Sequence, residues 1–355
     1  TTEDGDGRNI AIGTNSLQNL NAGSDAYNVA VGVGSGAAMT TGTYNALIGG
    51  LAGDALTTGG HNVAIGHEAL STEDTTGRNI AIGHQTLQNQ NAGSNAYSLA
   101  IGYQAGKALT TGVNNALIGG FAGTAITTGA YNVAIGYGAL FTEDTGSTSI
   151  GIGYYALNAQ NNGANNYNIA IGHSAGAVIT TGLRNIVIGG LAGDALTTGP
   201  YNVAIGHEAL STEVAGGRNT AIGYRALKTS NYDGNAYNVA LGYEAGVGVT
   251  TGQGNTLLGS LAGYNLQGGH NNVAIGMQAL EVEDGHGYNV AIGNEALQTL
   301  NAGANAYNVA VGFQAGHLMT TGVQNTIMGG LAGSALTTGA NNVIIGGEAA
   351  DALLT

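Results

Sequence analysis

An all-β coil, a β-solenoid of about twenty turns, is the fold class this sequence predicts, and three observations predict it. A short motif, Asn followed by three mostly apolar residues and Gly, recurs along the whole 355-residue chain. Its copies are spaced by seventeen to nineteen residues, a length that suits one turn of a coil. Glycine supplies 65 residues with no Gly-X-Y period, which excludes collagen, and 43% of residues are hydrophobic, which excludes a disordered Gly-rich linker.

The opening Asn falls at Asn9, Asn28, Asn45, Asn62, Asn79, Asn115, Asn132, Asn168, Asn185, Asn202, Asn219, Asn238, Asn255, Asn272, Asn289, Asn308, Asn325 and Asn342. Ser98 and Ser149 fill the two remaining slots. The spacings run 19, 17, 17, 17 and repeat, giving five 70-residue blocks. The chain therefore reads as one repeat domain with blocks 1–70, 71–140, 141–210, 211–280 and 281–350 and a tail, 351–355. Within each block the first unit carries a two-residue insertion, the second and third usually close with Thr-Thr-Gly, and the fourth closes with an acidic turn.

The run Asn62-Val63-Ala64-Ile65-Gly66 is short, β-branched at alternate positions and ended by Gly, so it reads as a strand. Val63 and Ile65 are expected to point into the coil, with Asn62, Ala64 and Gly66 on the other side. A weaker segment follows, carrying Ala69 and Leu70 here and Ala52 or Leu56 in the neighbouring unit. Gly and Asn are expected to supply the turns, because they tolerate positive φ cheaply. Stacked at about 4.8 Å, twenty such coils would make a rod of roughly 95 Å. A five-bladed β-propeller is the alternative, since five blocks of four strands also fit. Blade strands, however, are joined by hairpin loops of about 2–5 residues, and here the strand motifs are separated by about a dozen.

With Ala outward, both strand faces look small or apolar, and a strand apolar on both sides is usually covered on both. The row at Ala11, Ala64, Ala134, Ala204, Ala274 and Ala291 is therefore expected to meet other copies of the chain, as a homotrimer or a filament.

Composition narrows the function. A net charge of −14, from 21 acids against 7 Lys and Arg, argues against nucleic acid and against an anionic membrane surface. No apolar run approaches the ~20 residues that span a bilayer, so membrane insertion is not expected. Cysteine is absent, which removes thiol chemistry. Nucleophile-elbow, Walker and zinc-protease motifs are absent as well, so no enzyme is expected and no catalytic residue is assigned.

Four residue sets are candidates for specific roles. The first seven opening asparagines, Asn9, Asn28, Asn45, Asn62, Asn79, Asn115 and Asn132, read as a structural amide ladder, with a sugar-binding row as the alternative. The acidic turns Glu3-Asp4, Glu73-Asp74, Glu143-Asp144 and Glu283-Asp284 each sit at the same place in a block, with Glu213-Val214 a partial copy. Such turns serve solubility; as oxygen clusters beside Asn-rich loops they also suit calcium, the one cofactor considered. Tyr27, Tyr97, Tyr167, Tyr237 and Tyr307 recur once per block, either bracing the inserted loop or offering a platform to glycans. His67 and His84 share a slot in successive units and read as a polar surface row or a stacked metal-binding pair. Interrupted Thr-Thr rows make ice binding a distant alternative.

Segments such as Asn202-Val203-Ala204-Ile205-Gly206-His207-Glu208-Ala209-Leu210 and Asn132-Val133-Ala134-Ile135-Gly136-Tyr137-Gly138-Ala139-Leu140, with their Thr-Thr-Gly closures, resemble the Asn-rich repeats of phage tail-fibre proteins. More distantly, the Ala-Ile-Gly core is similar to the head repeats of trimeric autotransporter adhesins. The resemblance implies a trimeric fibre, extracellular, on a cell surface or on a virion, that displays loops for a receptor or glycan. The chaperone peptidase domain of such fibres and the anchor and stalk heptads of such adhesins are not found in this sequence, and the regular 70-residue superperiod exceeds what either family requires.

Overall fold

The computed structural model describes residues 7–352 apart from residues 24 and 76. The chain is an all-β parallel solenoid of twenty turns, not a propeller. Among the described residues there are twenty three-residue strands, from β1 (Ile10–Ile12) to β20 (Val343–Ile345), and no helix long and apolar enough to cross a membrane. Two compact units divide the chain, Thr1–Thr181 and Gly182–Thr355. The first holds ten of the strands and the second the other ten.

Within each unit a strand pairs in parallel with the next one in sequence. Between β4 (Val63–Ile65) and β5 (Ile80–Ile82), Val63 faces Ile80, Ala64 faces Ala81 and Ile65 faces Ile82. The turns are laddered in the same way. Glu68 N–H donates to Gly50 O of the preceding coil at 3.0 Å, and Leu70 N–H donates to Thr86 O of the following coil at 3.0 Å. Backbone groups outside the short strands are thus satisfied by neighbouring coils, as buried main chain requires.

The strand faces are the reverse of the sequence expectation. Ala64, Ala134, Ala204, Ala274 and Ala291 are fully buried inside their own coils, whereas Val63 and Ile65 are half-exposed. Of the row, only Ala11, in the first described strand, is exposed. The small-residue row therefore cannot be a seam between chains. The cause is the opening Asn, which is buried in nearly every coil. Its amide closes the coil from inside, and alternation along the strand then turns Ala64 inward and the β-branched pair outward.

The interior explains the 70-residue period. Strand centres run Ala, Ala, Leu, Ala through the first, second and fourth blocks, as at Ala30, Leu47 and Ala64, with Gly151 and Val187 in the third and Ile327 and Ile344 in the fifth. The facing position four residues past the closing Gly runs Leu, Gly, Gly, Leu, as at Leu17, Gly36, Gly53 and Leu70. A Cβ added at Gly36 would lie 2.9 Å from Leu47 Cδ1, and one at Gly53 would lie 2.9 Å from Leu47 Cδ2. Leu47 thus fills the space that two glycines leave. The last coil keeps the rule with the sizes exchanged, Ile344 standing at the strand centre and Ala350 opposite. Deleting residues 71–140, one whole block, should therefore leave a folded solenoid that melts close to wild type, because the size pattern stays in phase. Deleting the single coil Asn45–His61 removes Leu47 and leaves a gap over Gly36. That should cost about 2–5 kcal/mol, as a leucine-sized core cavity does, read as an earlier thermal transition.

Some turns differ from expectation. Gly and Asn are the residues expected at positive φ, yet Glu68, Leu70 and Arg78 occupy left-handed backbone at φ 55°, 54° and 65°. Side chains there cost of order 1–3 kcal/mol each, and the inter-coil hydrogen bonds on both sides hold them.

Candidate functional site

The outward face of the strands carries the same four positions in every coil. They are the residue before the opening Asn, the first and third strand residues, and the residue after the closing Gly. Stacking in register converts each position into a row of side chains about 4.8 Å apart.

The two middle rows are Val, Ile, Leu and occasionally Thr, Ala or Met, half-exposed to exposed. The row before Asn holds the once-per-block tyrosines, all exposed, and the structure shows what they touch. Arg78 lies 5.6 Å over the Tyr97 ring and its Nη1 donates to the Tyr97 hydroxyl at 3.1 Å. Arg218 treats Tyr237 the same way at 5.5 and 3.0 Å, and Arg8 does so for Tyr27. Tyr307 stacks on Tyr288 at 5.1 Å, and the Tyr167 hydroxyl accepts from Asn165 Nδ2 at 3.5 Å. Sequence reasoning misses these arginines, although Arg8, Arg78 and Arg218 each stand one inserted coil before Tyr27, Tyr97 and Tyr237.

The row after the closing Gly is a second ring ladder. His67 stacks on His84 at 5.5 Å, His84 on Tyr103 at 5.3 Å, and Tyr154 on His173 at 5.3 Å. In the second unit His207, Tyr224 and Tyr243 continue the pattern at 5.8 and 5.3 Å. The His67 and His84 rings are nearly parallel, 13° apart. Their in-plane nitrogens therefore do not converge on one point. The pair belongs to the ring ladder.

The opening asparagines sit inside. Asn28 Oδ1 accepts from Asn45 N–H at 2.9 Å, Asn45 from Asn62 at 2.9 Å, Asn62 from Asn79 at 3.0 Å, and Asn115 from Asn132 at 3.0 Å. Asn9 begins the series, accepting from Asn28 N–H at 2.7 Å. The amide nitrogen points the other way: Asn28, Asn45, Asn115 and Asn132 donate to Gly42, Gly59, Gly129 and Gly146 carbonyls at 2.8–3.0 Å. Asn suits this position because one side chain must accept from the next coil and donate across its own closure. In the inserted first unit that carbonyl is displaced. Asn79 Nδ2 there reaches Glu73 Oε2 at 3.4 Å instead.

The acidic turns split by residue. Glu73, Glu143, Glu213 and Glu283 are fully buried, while Asp74, Asp144 and Asp284 are half-buried. Glu3-Asp4 lies outside the described residues. Glu143 Oε1 accepts from Gly146 N–H at 2.8 Å, and its Oε2 accepts from Gln160 at 2.7 Å and Asn166 at 2.9 Å. Glu213 accepts from Gly216 N–H at 2.7 Å and the Ser230 hydroxyl at 2.9 Å. The neighbours of these two carboxylates are donors, the complement of an anion, and do not form an oxygen cage for calcium. Burial still pushes the Glu143 carboxyl above its ordinary range, against the lowering effect of those bonds. Asp74 and Asp144 accept from the Thr57 and Thr127 hydroxyls.

One half-buried polar cluster is charged rather than aromatic. Glu208 receives Lys228 at 2.6 Å and Arg225 at 2.8 Å, and these bonds hold its carboxyl down to about 2. The same slots in an earlier block hold Glu68, Gln85 and Gln88, bonded at 2.8 and 2.7 Å. The positive charges are therefore dispensable at this place, and the contact between coils is what recurs.

Fold and rows together define a class, a parallel β-solenoid repeat protein whose outer sheet face has two uncharged middle rows bordered by stacked rings and arginines. No protein-family model matches the chain, and no curated protein matches it.

Proposed function

We propose that this chain is a non-enzymatic fibre or adhesin shaft that assembles with further copies of itself, as a homotrimer, outside the cell, on a cell surface or on a virion. Its inserted loops then serve attachment to a receptor or glycan. The observation that carries this reading is the outer strand face. Ten coils at about 4.8 Å, crossed by the two apolar middle rows whose side chains stand about 6.6 Å apart, outline roughly 600 Å² in each unit. That reaches the upper end of the ~300–600 Å² patches that soluble monomers expose. A face periodic at the strand spacing is complemented along its length by a surface of the same period, and a second copy of this chain supplies one.

The ring ladders favour bracing over sugar stacking. Arg8, Arg78 and Arg218 each stack on Tyr27, Tyr97 and Tyr237 and donate to their hydroxyls, and Tyr288 stacks on Tyr307, so these rings tie neighbouring coils together.

Sedimentation of the whole chain tests the assembly. The expected mass is three times the 35.0 kDa chain mass. Ile135→Asp with Ile152→Asp, both on the outer face, should give the single-chain mass with little loss of melting temperature. A wild type that sediments at 35.0 kDa overturns the proposal. A trimer untouched by the double substitution places its seam on another face.

A further inference from the structure

The fifth acidic turn is built differently from its relatives. Three residues after the buried glutamate, the third and fourth turns have Gly146 and Gly216, whose N–H groups cap Glu143 and Glu213. The fifth has His286. One coil further on, Gln160 and Ser230 donate to Glu143 and Glu213, and the matching residue of the fifth block is Leu300, fully buried. Asn166, the third donor to Glu143, is likewise replaced, by Ala306.

Glu283 is consequently a fully buried carboxylate that has lost its polar partners. A backbone donor that remains, Ala302 N–H, stands 3.5 Å from Oε2. Oε1 and His286 Nδ1 are both buried without a hydrogen bond, and they face each other at 3.4 Å. Asp284 brings a second carboxylate, and ligand atoms of the three residues lie within 4.8 Å of one another.

We infer that Glu283, Asp284 and His286 form a site for a divalent first-row transition ion of the zinc type. In tetrahedral coordination, ligands bonded at about 2.0–2.1 Å stand about 3.3–3.4 Å apart, the separation seen between Glu283 Oε1 and His286 Nδ1. Calcium takes 6–8 oxygen ligands at about 2.3–2.6 Å, and neither the imidazole nor the apolar Leu300 and Ala306 fit that shell. The ion replaces the donors that the other turns supply and satisfies both orphaned atoms at once.

Titration of the full chain with Co²⁺, read by its visible absorption and by Zn²⁺ competition, tests the site. The expected result is one tetrahedral-type equivalent per chain, displaced by Zn²⁺ and untouched by Ca²⁺. His286→Gly installs the residue that the third and fourth turns carry. It should weaken binding by more than the about 10–100-fold that loss of even an outer-shell partner costs. Glu283→Gln, which keeps the side-chain volume, should do the same. Absence of the absorption band overturns the inference and leaves a bare carboxylate–imidazole pair. A band that survives both substitutions overturns it too, because the ion then sits on other histidines. Displacement of Co²⁺ by Ca²⁺ would reject the transition-ion assignment.

Discussion

Ala134→Asp is expected to destabilise the coils around β8 (Val133–Ile135) by about 3–5 kcal/mol at neutral pH, because it leaves a buried carboxylate without a partner. Ala134 is fully buried and lies in register with Leu117 on one side and Gly151 on the other. Those neighbours offer the new carboxylate no donor side chain. Burial would raise its folded-state pKa above the unfolded value, so the native state binds the proton more tightly. The penalty is then full above the folded pKa and fades as pH falls toward the unfolded value. Thermal melts of the variant should accordingly move toward wild type on acidification. Ile135→Asp, one residue along and on the outer face, should cost little in the isolated chain. A larger loss for Ile135→Asp than for Ala134→Asp would restore the opposite assignment of the strand faces, and equal losses would remove the distinction between them.

Gly136→Ala should be nearly as damaging, for backbone reasons. Gly136 has φ +128°, a region that side chains rarely enter. An added Cβ would also overlap the carbonyl oxygen of Gly153, the closing glycine of the next coil. Strain of about 1–3 kcal/mol adds to a backbone overlap that no side-chain rotation can relieve. A loss of at least about 3 kcal/mol follows. Gly330→Ala is the matched control, since a Cβ added there meets nothing within 4 Å and its φ is not in that region. Denaturant titrations of the two variants should differ by nearly the whole effect. A Gly136→Ala protein as stable as Gly330→Ala would show that successive coils stand further apart than described.

At the buried glutamates sequence and structure part company. Glu143 reads as part of a polar turn fit for solvent or calcium, because acids in short turns usually face water. The same position in other coils holds Met39, Leu56 and Leu109, all fully buried. That column is the available signal. Aligned by coil, the glutamate stands where the interior runs, and only its donors, Gly146, Gln160 and Asn166, explain how the core accepts it.

The number of coils, their length, the parallel stacking and the position of each closing glycine are legible in the spacing alone. A motif that returns at so regular an interval can stack on itself only after one full turn. Which way each strand faces is settled only in three dimensions. Alternation defines two faces without saying which is inside, and here both are small or apolar, so pattern cannot choose. Contacts distant along the chain make the choice. An asparagine amide needs a carbonyl 14 residues on and a backbone N–H in the next coil, and Leu47 needs the space over Gly36 and Gly53. Both can be met only from the interior, and meeting them turns the β-branched rows out to where a partner can reach them.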